Sequence, residues 1–502
     1  MTSSNSTEIA DDKNGRSGIE AASTTRFPNK MLITTVVVAL LLVVGHWQAD
    51  NLNEWFNLNP GVFNVLTIVL PLLMAVAWSC WAWFFAKRKA LAFAIAGSVV
   101  TMLTLYYPDF GGDANIVGWK SRFWQAEREL KENASRLPNV DLVSTTPDDF
   151  PQFLGVNRDS TVSNLDLADN WDSAAPKLIW KQSIGEGWSG FAAVNGFAVT
   201  QEQRDAEECV TCYRIETGEL MWIHRVPRRY EDITALGKVG PRATPTIDEG
   251  RVYVTSATGV LDCLVGSTGK LIWSVDVPSL VGIRQVEYTN GLGLTYSMEA
   301  SNLMWGRAGS PLIVADRVVV TAGGPSKDPD KITATLIAFD KKSGKEIWRG
   351  GKRMIAYGSP SLATMLGRSQ ILLVAEDHAV GHDPETGAEL WSHQRSGSSS
   401  GDANCSQVTL VSDSQLILSK GYNMGGELIE LSESDGAIQV TSLKKDPRVL
   451  KTKLTSPVVH AGHTYSLSDG YLECVEIESF QRKWKQRGRF GNGQLLLVGD
   501  QL

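Results

Sequence analysis

The chain has 502 residues, 43% of them hydrophobic, and its 48 Lys and Arg against 55 Asp and Glu give a formal net charge of −7. That length exceeds one ordinary domain, that hydrophobicity excludes a disordered chain, and the lack of a long basic run outside the apolar N-terminal region argues against nucleic acid as a partner. The 16 Trp are an excess that a membrane belt, an internal repeat, or both would explain.

Residues 1–30 are rich in Ser, Thr and Asn and read as a disordered tail. Residues 31–108 hold three apolar stretches, Met31 to Trp47, Val62 to Phe85 and Leu91 to Tyr107. Each is near the roughly 20 residues that a spanning helix needs, so three transmembrane helices are expected. A cleaved signal peptide is the other reading of the first stretch. The long polar leader before it and the lack of a small-residue cleavage pattern after Trp47 favour a retained anchor. Lys87, Arg88 and Lys89 lie between the second and third stretches, whereas the loop from Gln48 to Gly61 carries no Lys or Arg. The positive-inside bias then puts everything after about Asp109 on the extracytoplasmic, periplasmic side of an inner membrane. Trp47, Trp55, Trp78, Trp81 and Trp83 belong to this region as interface anchors or packing residues. Residues 109–148 are a stalk or linker, with a helix expected from Ile116 to Leu137 and an interfacial helix as the competing reading.

Residues 149–502 alternate short apolar runs with Gly, Asp, Asn and Ser turns, the signature of many antiparallel strands. One segment recurs: Cys212 through Thr217-Gly218 to Trp222, Cys263 through Thr268-Gly269 to Trp273, Ala338 through Ser343-Gly344 to Trp348, and Gly381 through Thr386-Gly387 to Trp391. Weaker copies run through Asp435-Gly436 to Val440, and from Cys474 through Ser479 to Trp484. Thr244-Pro245, Ser310-Pro311, Ser359-Pro360 and Ser456-Pro457 each open a further strand. Four strands per unit, repeated, predict an all-β propeller in which the Trp of each last strand packs between neighbouring blades. Leu178-Ile179-Trp180 reads as a lone fourth strand, and Gln494 to Leu502 as a lone first strand. The expected ring is therefore seven- to eight-bladed and short of strands at its C-terminal end. Truncation, an irregular seven-blade ring and an open edge are the alternatives.

The repeat resembles the pyrroloquinoline-quinone-type (PQQ) motif Ala-x-Asp-x-x-Thr-Gly-x-x-x-Trp, shared by quinoprotein alcohol dehydrogenases and the outer-membrane barrel-assembly scaffold lipoprotein. Asp149 to Asp159 is similar to the lead-in segment of membrane-anchored propellers of planctomycete-like bacteria. In the dehydrogenases the resemblance implies a calcium-bound quinone, an Asp base and a ring of two adjacent cysteines. Here none of Cys80, Cys209, Cys212, Cys263, Cys405 and Cys474 are adjacent. No cofactor is therefore expected from the residues, PQQ following from the resemblance alone. Cys209 and Cys212 lie three apart in a strand and point to opposite faces, which disfavours pairing or a metal site. The pairs His378/His382 and His460/His463 fall in strands and turns, a weak metal signal, and no hydrolase, nucleotide-loop or kinase signature is present.

Connections from the fourth strand of one blade to the first of the next share a face with those from second to third strand. Trp188, Gln203, Arg204, Arg242 and Arg307 are thereby expected on one rim, with the segment from Ser274 to Arg307 as a possible lid. An aromatic with Arg and amide groups suits a protein or carbohydrate ligand, while solvated turns with one packed Trp are the bland alternative. The expected function is a membrane-anchored extracytoplasmic scaffold that binds protein or polymeric ligands without catalysis. The alternative is a PQQ-dependent oxidoreductase.

Overall fold

The computed structural model describes residues 60–84, 88–110, 116–121, 130 and 139–502, save 164, 166, 169, 174, 232–236, 284, 290–294, 300–302, 324–333, 399–400 and 487–489. The chain divides into two units, Met1–Glu127 and Arg128–Leu502. In the first unit the helices Pro60–Phe84 and Lys89–Leu105 overlap the second and third apolar stretches, each beginning two residues before the expected start. Trp83 meets Phe93 edge to face at 5.2 Å between them. Side chains of the first helix are described only from Leu72 onward, and among the described residues no helix is long and apolar enough to cross a membrane. The first expected span, Met31 to Trp47, lies outside the described residues.

The helix expected from Ile116 to Leu137 needs correction over residues 116–121; residues 122–129 and 131–137 lie outside the described residues. Ile116–Ser121 is a strand, paired antiparallel with Tyr106–Phe110. β-Branched Ile116 and Val117 favour extended backbone, and Gly111-Gly112 between the strands is turn sequence. The same pairing ends the second helix at Leu105, two residues before the expected Tyr107.

Among the described residues the second unit contains six four-stranded antiparallel sheets, each ordered by sequence. Blade 1 comprises Ala192–Val194, Phe197–Arg204, Glu207–Arg214 and Leu220–Val226; blade 2, Thr246–Asp248, Arg251–Thr255, Val260–Val265 and Leu271–Asp276; blade 3, Leu312–Val314, Arg317–Thr321, Leu336–Asp340 and Glu346–Gly350. Blade 4 comprises Ser361–Met365, Arg368–Val374, His378–His382 and Glu389–Gln394; blade 5, Thr409–Leu410, Gln415–Lys420, Gly425–Ser434 and Ala437–Asp446; blade 6, Val458–His460, His463–Ser468, Tyr471–Glu476 and Gln481–Lys485. A sheet alone leaves two faces wet, and here the apolar faces of consecutive blades close on one another, as where Val199 and Cys212 of blade 1 join Val252 and Leu264 of blade 2.

The Thr-Gly and Trp of the repeat meet across blades. Each indole lies on the turn glycine of the following blade: Trp180 on Gly218, Trp222 on Gly269, Trp273 on Gly344 and Trp348 on Gly387. A Cβ on any of these glycines would overlap the ring, and their φ values of 65°, 69°, 71° and 74° are left-handed, so two independent constraints select glycine. Each indole N–H also donates to the carbonyl three residues before that glycine: Ile215 at 2.7 Å, Gly266 at 2.9 Å, Lys341 at 3.3 Å and Pro384 at 3.2 Å. Trp391 departs. Opposite it, where other blades carry Cys or Ala, stands Gly381, and the indole fills that space and donates to Gln370 Oε1 of its own blade at 2.7 Å.

The Ser/Thr-Pro pairs join the blades a second time, at the start of each innermost strand. Gly190 N donates to Thr244 Oγ1 at 3.2 Å, Thr244 N to Ser310 Oγ at 2.9 Å, and Ser310 N to Ser359 Oγ at 3.0 Å. Gln407 stands where the next hydroxyl would be; its N–H continues the series to Ser456 Oγ at 3.0 Å while its side-chain amide reaches back to Ser359 O at 3.0 Å.

The lead-in segment runs along blades 1 and 2 before turning inward. Asp149 Oδ1 accepts from Asn195 N at 2.8 Å, Phe150 and Ala193 exchange both backbone bonds, and Pro151 O accepts from Ile247 N. Arg158, 5% exposed, then spreads its guanidinium across the openings of three blades. It donates to Thr246 Oγ1 at 3.3 Å, Ser310 O at 3.3 Å, Pro311 O and Pro360 O at 2.7 Å. Gln152 takes its Nε at 2.9 Å. Burial pushes this guanidinium down to about 9. Beside the six blades, Thr161–Val162 pairs in parallel with Leu497–Val498. Leu178–Trp180 belongs to no sheet, yet Trp180 holds Gly218 as a fourth-strand Trp does.

Candidate functional site

Antiparallel order within each blade sends the fourth-to-first and second-to-third connections to one end of the sheets. At blades 1 to 3 this end gathers aromatic and cationic side chains. Trp188, 47% exposed, is held by its indole N–H on Gly237 O at 2.9 Å and its backbone N–H on Pro241 O at 2.8 Å, with Lys238 Nζ 5.7 Å from the ring. Arg242 stacks on Tyr230 with 4.4 Å between guanidinium and ring centroid, and also bonds the carbonyls of Gly237, at 2.6 Å, and Gly240. The Tyr230 hydroxyl donates to Met304 O at 2.9 Å, tying the connection after blade 1 to the one after blade 2. There Trp305 lies 5.6 Å from Tyr357, whose hydroxyl accepts the Trp305 backbone N–H at 3.2 Å.

Of the residues expected on this rim, Trp188, Gln203 and Arg242 come together. Gln203 acts as a buried strut: its amide donates at 3.1 Å to both Asp205 O and Arg228 O, and its carbonyl accepts from Tyr230 N at 3.5 Å. Arg204 is 3% exposed and pairs with Glu202 Oε1 at 2.9 Å and Tyr213 Oη at 3.1 Å, inside blade 1. Arg307 is 1% exposed and donates to Thr321 O and Ala322 O at 3.1 Å each. Both guanidiniums scaffold the face from within. Buried partners supply the reason, because a charge taken out of water persists only where it is paired or hydrogen-bonded. Tyr230 and Tyr357 escaped the sequence reading; their only signal was an aromatic in each interblade connection.

Beneath this face, between blades 1 and 2, Arg228 lies 3.7 Å from Glu208 and 3.6 Å from Asp262. Asp262 also accepts from Ser274 Oγ at 2.5 Å. A carboxylate interrupting an apolar strand, Glu208 before Cys209 and Val210, was the sequence signal for this cluster.

The cysteines are free and five of the six lie in the propeller unit. Cys212, Cys263 and Cys474 each face the Trp of their own blade across the strand pair. Burial pushes the Cys209 thiol up to about 12 and raises that of Cys212 further, so neither is a ready thiolate. No two cysteines adjoin, and among the described residues no group of three or more His, Cys, Asp or Glu could hold a metal.

Comparison with curated proteins by sequence gives no match. Among solved structures the chain is similar to a europium-containing methanol dehydrogenase, at 11% identity over 70% of this chain and 87% of that one, with a TM-score of 0.40. It is also similar to the quinohemoprotein alcohol dehydrogenase from Comamonas testosteroni, at 12% identity over 72% and 77%, with a TM-score of 0.38. For BamB from Moraxella catarrhalis the figures are 15% identity over 62% and 88%, with a TM-score of 0.33. The family model described as outer membrane protein assembly factor BamB matches residues 160–285 and 206–486. Those two matches take in every one of the six blades, and the chain therefore belongs to this family of PQQ-type repeat propellers.

Proposed function

We propose that the protein is a membrane-anchored, extracytoplasmic binding scaffold that takes a protein or polymeric ligand on the interblade face. The observation that carries this reading is the half-exposed Trp188 beside the Arg242–Tyr230 stack, an aromatic and cationic surface suited to a protein or polymeric ligand. The anchor rests on the sequence alone: the stretch Val62 to Phe85 carries no charged residue, and Lys87, Arg88 and Lys89 follow it before the next apolar stretch. A reporter phosphatase that works only outside the cytoplasm, fused after Pro138, is expected to be active. An inactive fusion reverses the orientation.

An oxidoreductase reading has only the family's other members in its favour. The full chain in detergent, reconstituted with calcium and the quinone, is expected to show no dye-linked oxidation of alcohols. Sustained turnover would replace the scaffold reading with the catalytic one.

A further inference from the structure

The Glu208 cluster does something that the binding face alone does not require. Glu208, on the third strand of blade 1, is 5% exposed, and among the described residues its Oε2 has no hydrogen-bond partner. Asp262, on the third strand of blade 2, faces it. One cation, Arg228, serves both carboxyls, and at 3.6 and 3.7 Å each contact is longer than a hydrogen bond. The other groups that act on the cluster are His224 on the fourth strand of blade 1, the Ala257 backbone N–H of blade 2 and, more weakly, Arg242 on the connection above, whose guanidinium is held by Tyr230 and the Gly237 and Gly240 carbonyls. His224 Nε2 is also buried with no partner among the described residues, and burial lowers the affinity of that imidazole for a proton, against the pull of Asp262.

Two ionised carboxylates on one weakly engaged guanidinium would leave an uncompensated negative charge between the blades. Such a site relieves the charge by holding a proton. We propose that Glu208, Asp262 and Arg228 form a proton-operated latch between blades 1 and 2. With Glu208 protonated the cluster is neutral and the joint is closed; when that proton leaves to solvent, two carboxylates compete for Arg228 and the joint beneath Trp188 and Arg242 loosens. Glu208 takes the proton because it is the one with an orphaned oxygen, whereas Asp262 keeps the Ser274 hydroxyl. Burial first, and then Asp262, push its carboxyl up to about 7, against Arg228, the Ala257 N–H and Arg242.

The sign follows from linkage. A carboxyl whose proton affinity is higher folded than unfolded stabilises the fold at low pH, and that stabilisation is lost as pH rises from about 4.3, its unfolded value, through neutrality. The test is the unfolding temperature of the full chain in detergent micelles across this range, for wild type, Glu208→Gln and Asp262→Asn, read beside hydrogen exchange in Glu207–Arg214 and Val260–Val265. Wild type should lose stability and gain exchange as pH rises through neutrality, Glu208→Gln should lack this fall, and Asp262→Asn should move it to lower pH. Identical pH profiles for wild type and Glu208→Gln overturn the latch. Should Glu208→Gln fail to fold, infrared spectroscopy decides: a protonated-carboxyl band that disappears near neutrality in wild type, and earlier in Asp262→Asn, supports it, and no such band ends it.

Discussion

Blades 1 to 4 and blades 5 and 6 are built to one plan but joined by different chemistry. In the first group each joint carries an indole set on a glycine of the next blade. At the joint from blade 4 to blade 5 its place is taken by a buried carboxylate. Glu427 receives His393 at 3.0 Å, Ser442 at 2.8 Å and Arg395 at 3.2 Å, and Arg395 in turn reaches Gly425 O. At the next joint Glu473 accepts from the Leu450 backbone N–H, the Ser466 hydroxyl and the Arg482 guanidinium, beside a Lys451–Asp469 pair at 2.6 Å. The exchange follows from a few residues. Gly381 lets Trp391 turn inward, blade 5 presents Gly436 with nothing within 4 Å of where its Cβ would stand, and Val440 replaces the closing Trp. A repeat can thus lose its marker and keep its geometry, provided another interaction fills the joint.

The sharpest way to break the comparison is Trp348→Ala. The indole is buried on Gly387, so removal should cost about 3–5 kcal/mol in urea unfolding. Glu427→Gln keeps the shape of its joint but weakens three charge-assisted bonds, and about 2–3 kcal/mol should be lost at neutral pH. Although burial pushes the Glu427 carboxyl up, His393 and Ser442 outweigh it and hold it at about 2. Its stabilisation is therefore full above the ordinary carboxyl range and disappears as pH falls toward 2, so the wild-type and Glu427→Gln curves should converge there. Trp348→Ala should stay destabilised by the same amount throughout. A paired glycine test sharpens the contrast: Gly387→Ala meets both a left-handed φ and the Trp348 ring, whereas Gly436→Ala meets only the φ and should cost about 1–2 kcal/mol, the smaller loss of the two. Smallest of all is Trp188→Ala, which should leave stability within about 0.5 kcal/mol and act on ligand capture alone.

The repeat itself was legible because both halves of the indole–glycine joint sit in one eleven-residue motif. That the two halves belong to different blades was not, since spacing along the chain cannot say which copy a Trp touches. The Ser/Thr-Pro pairs were recognised as strand openings, while their hydroxyls' service to the preceding blade is a product of ring topology. Arg204 looked like a loop cation because it ends a strand; its commitment to Glu202 and Tyr213 depends on side-chain direction across two strands. Arg307 misled in the same way. Arg158 gave no signal beyond the resemblance of its segment, because its partners are carbonyls 152 to 202 residues away.

Those separations bear on how the protein is made. The lead-in segment leaves the ribosome before the blades and finds its backbone partners in blades 1 and 2 early, but the guanidinium of Arg158 must wait for Ser310, Pro311 and Pro360. At roughly 5–20 residues per second, that wait lasts on the order of ten seconds or more, during which a cation without its acceptors stays in water. Completing blade 4 lets the arginine withdraw, and the half-ring gains a hub around which the later blades can add. The parallel pair of Thr161–Val162 with Leu497–Val498 forms only after all six blades have emerged. Its two strands come from opposite ends of the propeller unit, so this contact waits until nearly the whole unit has been made.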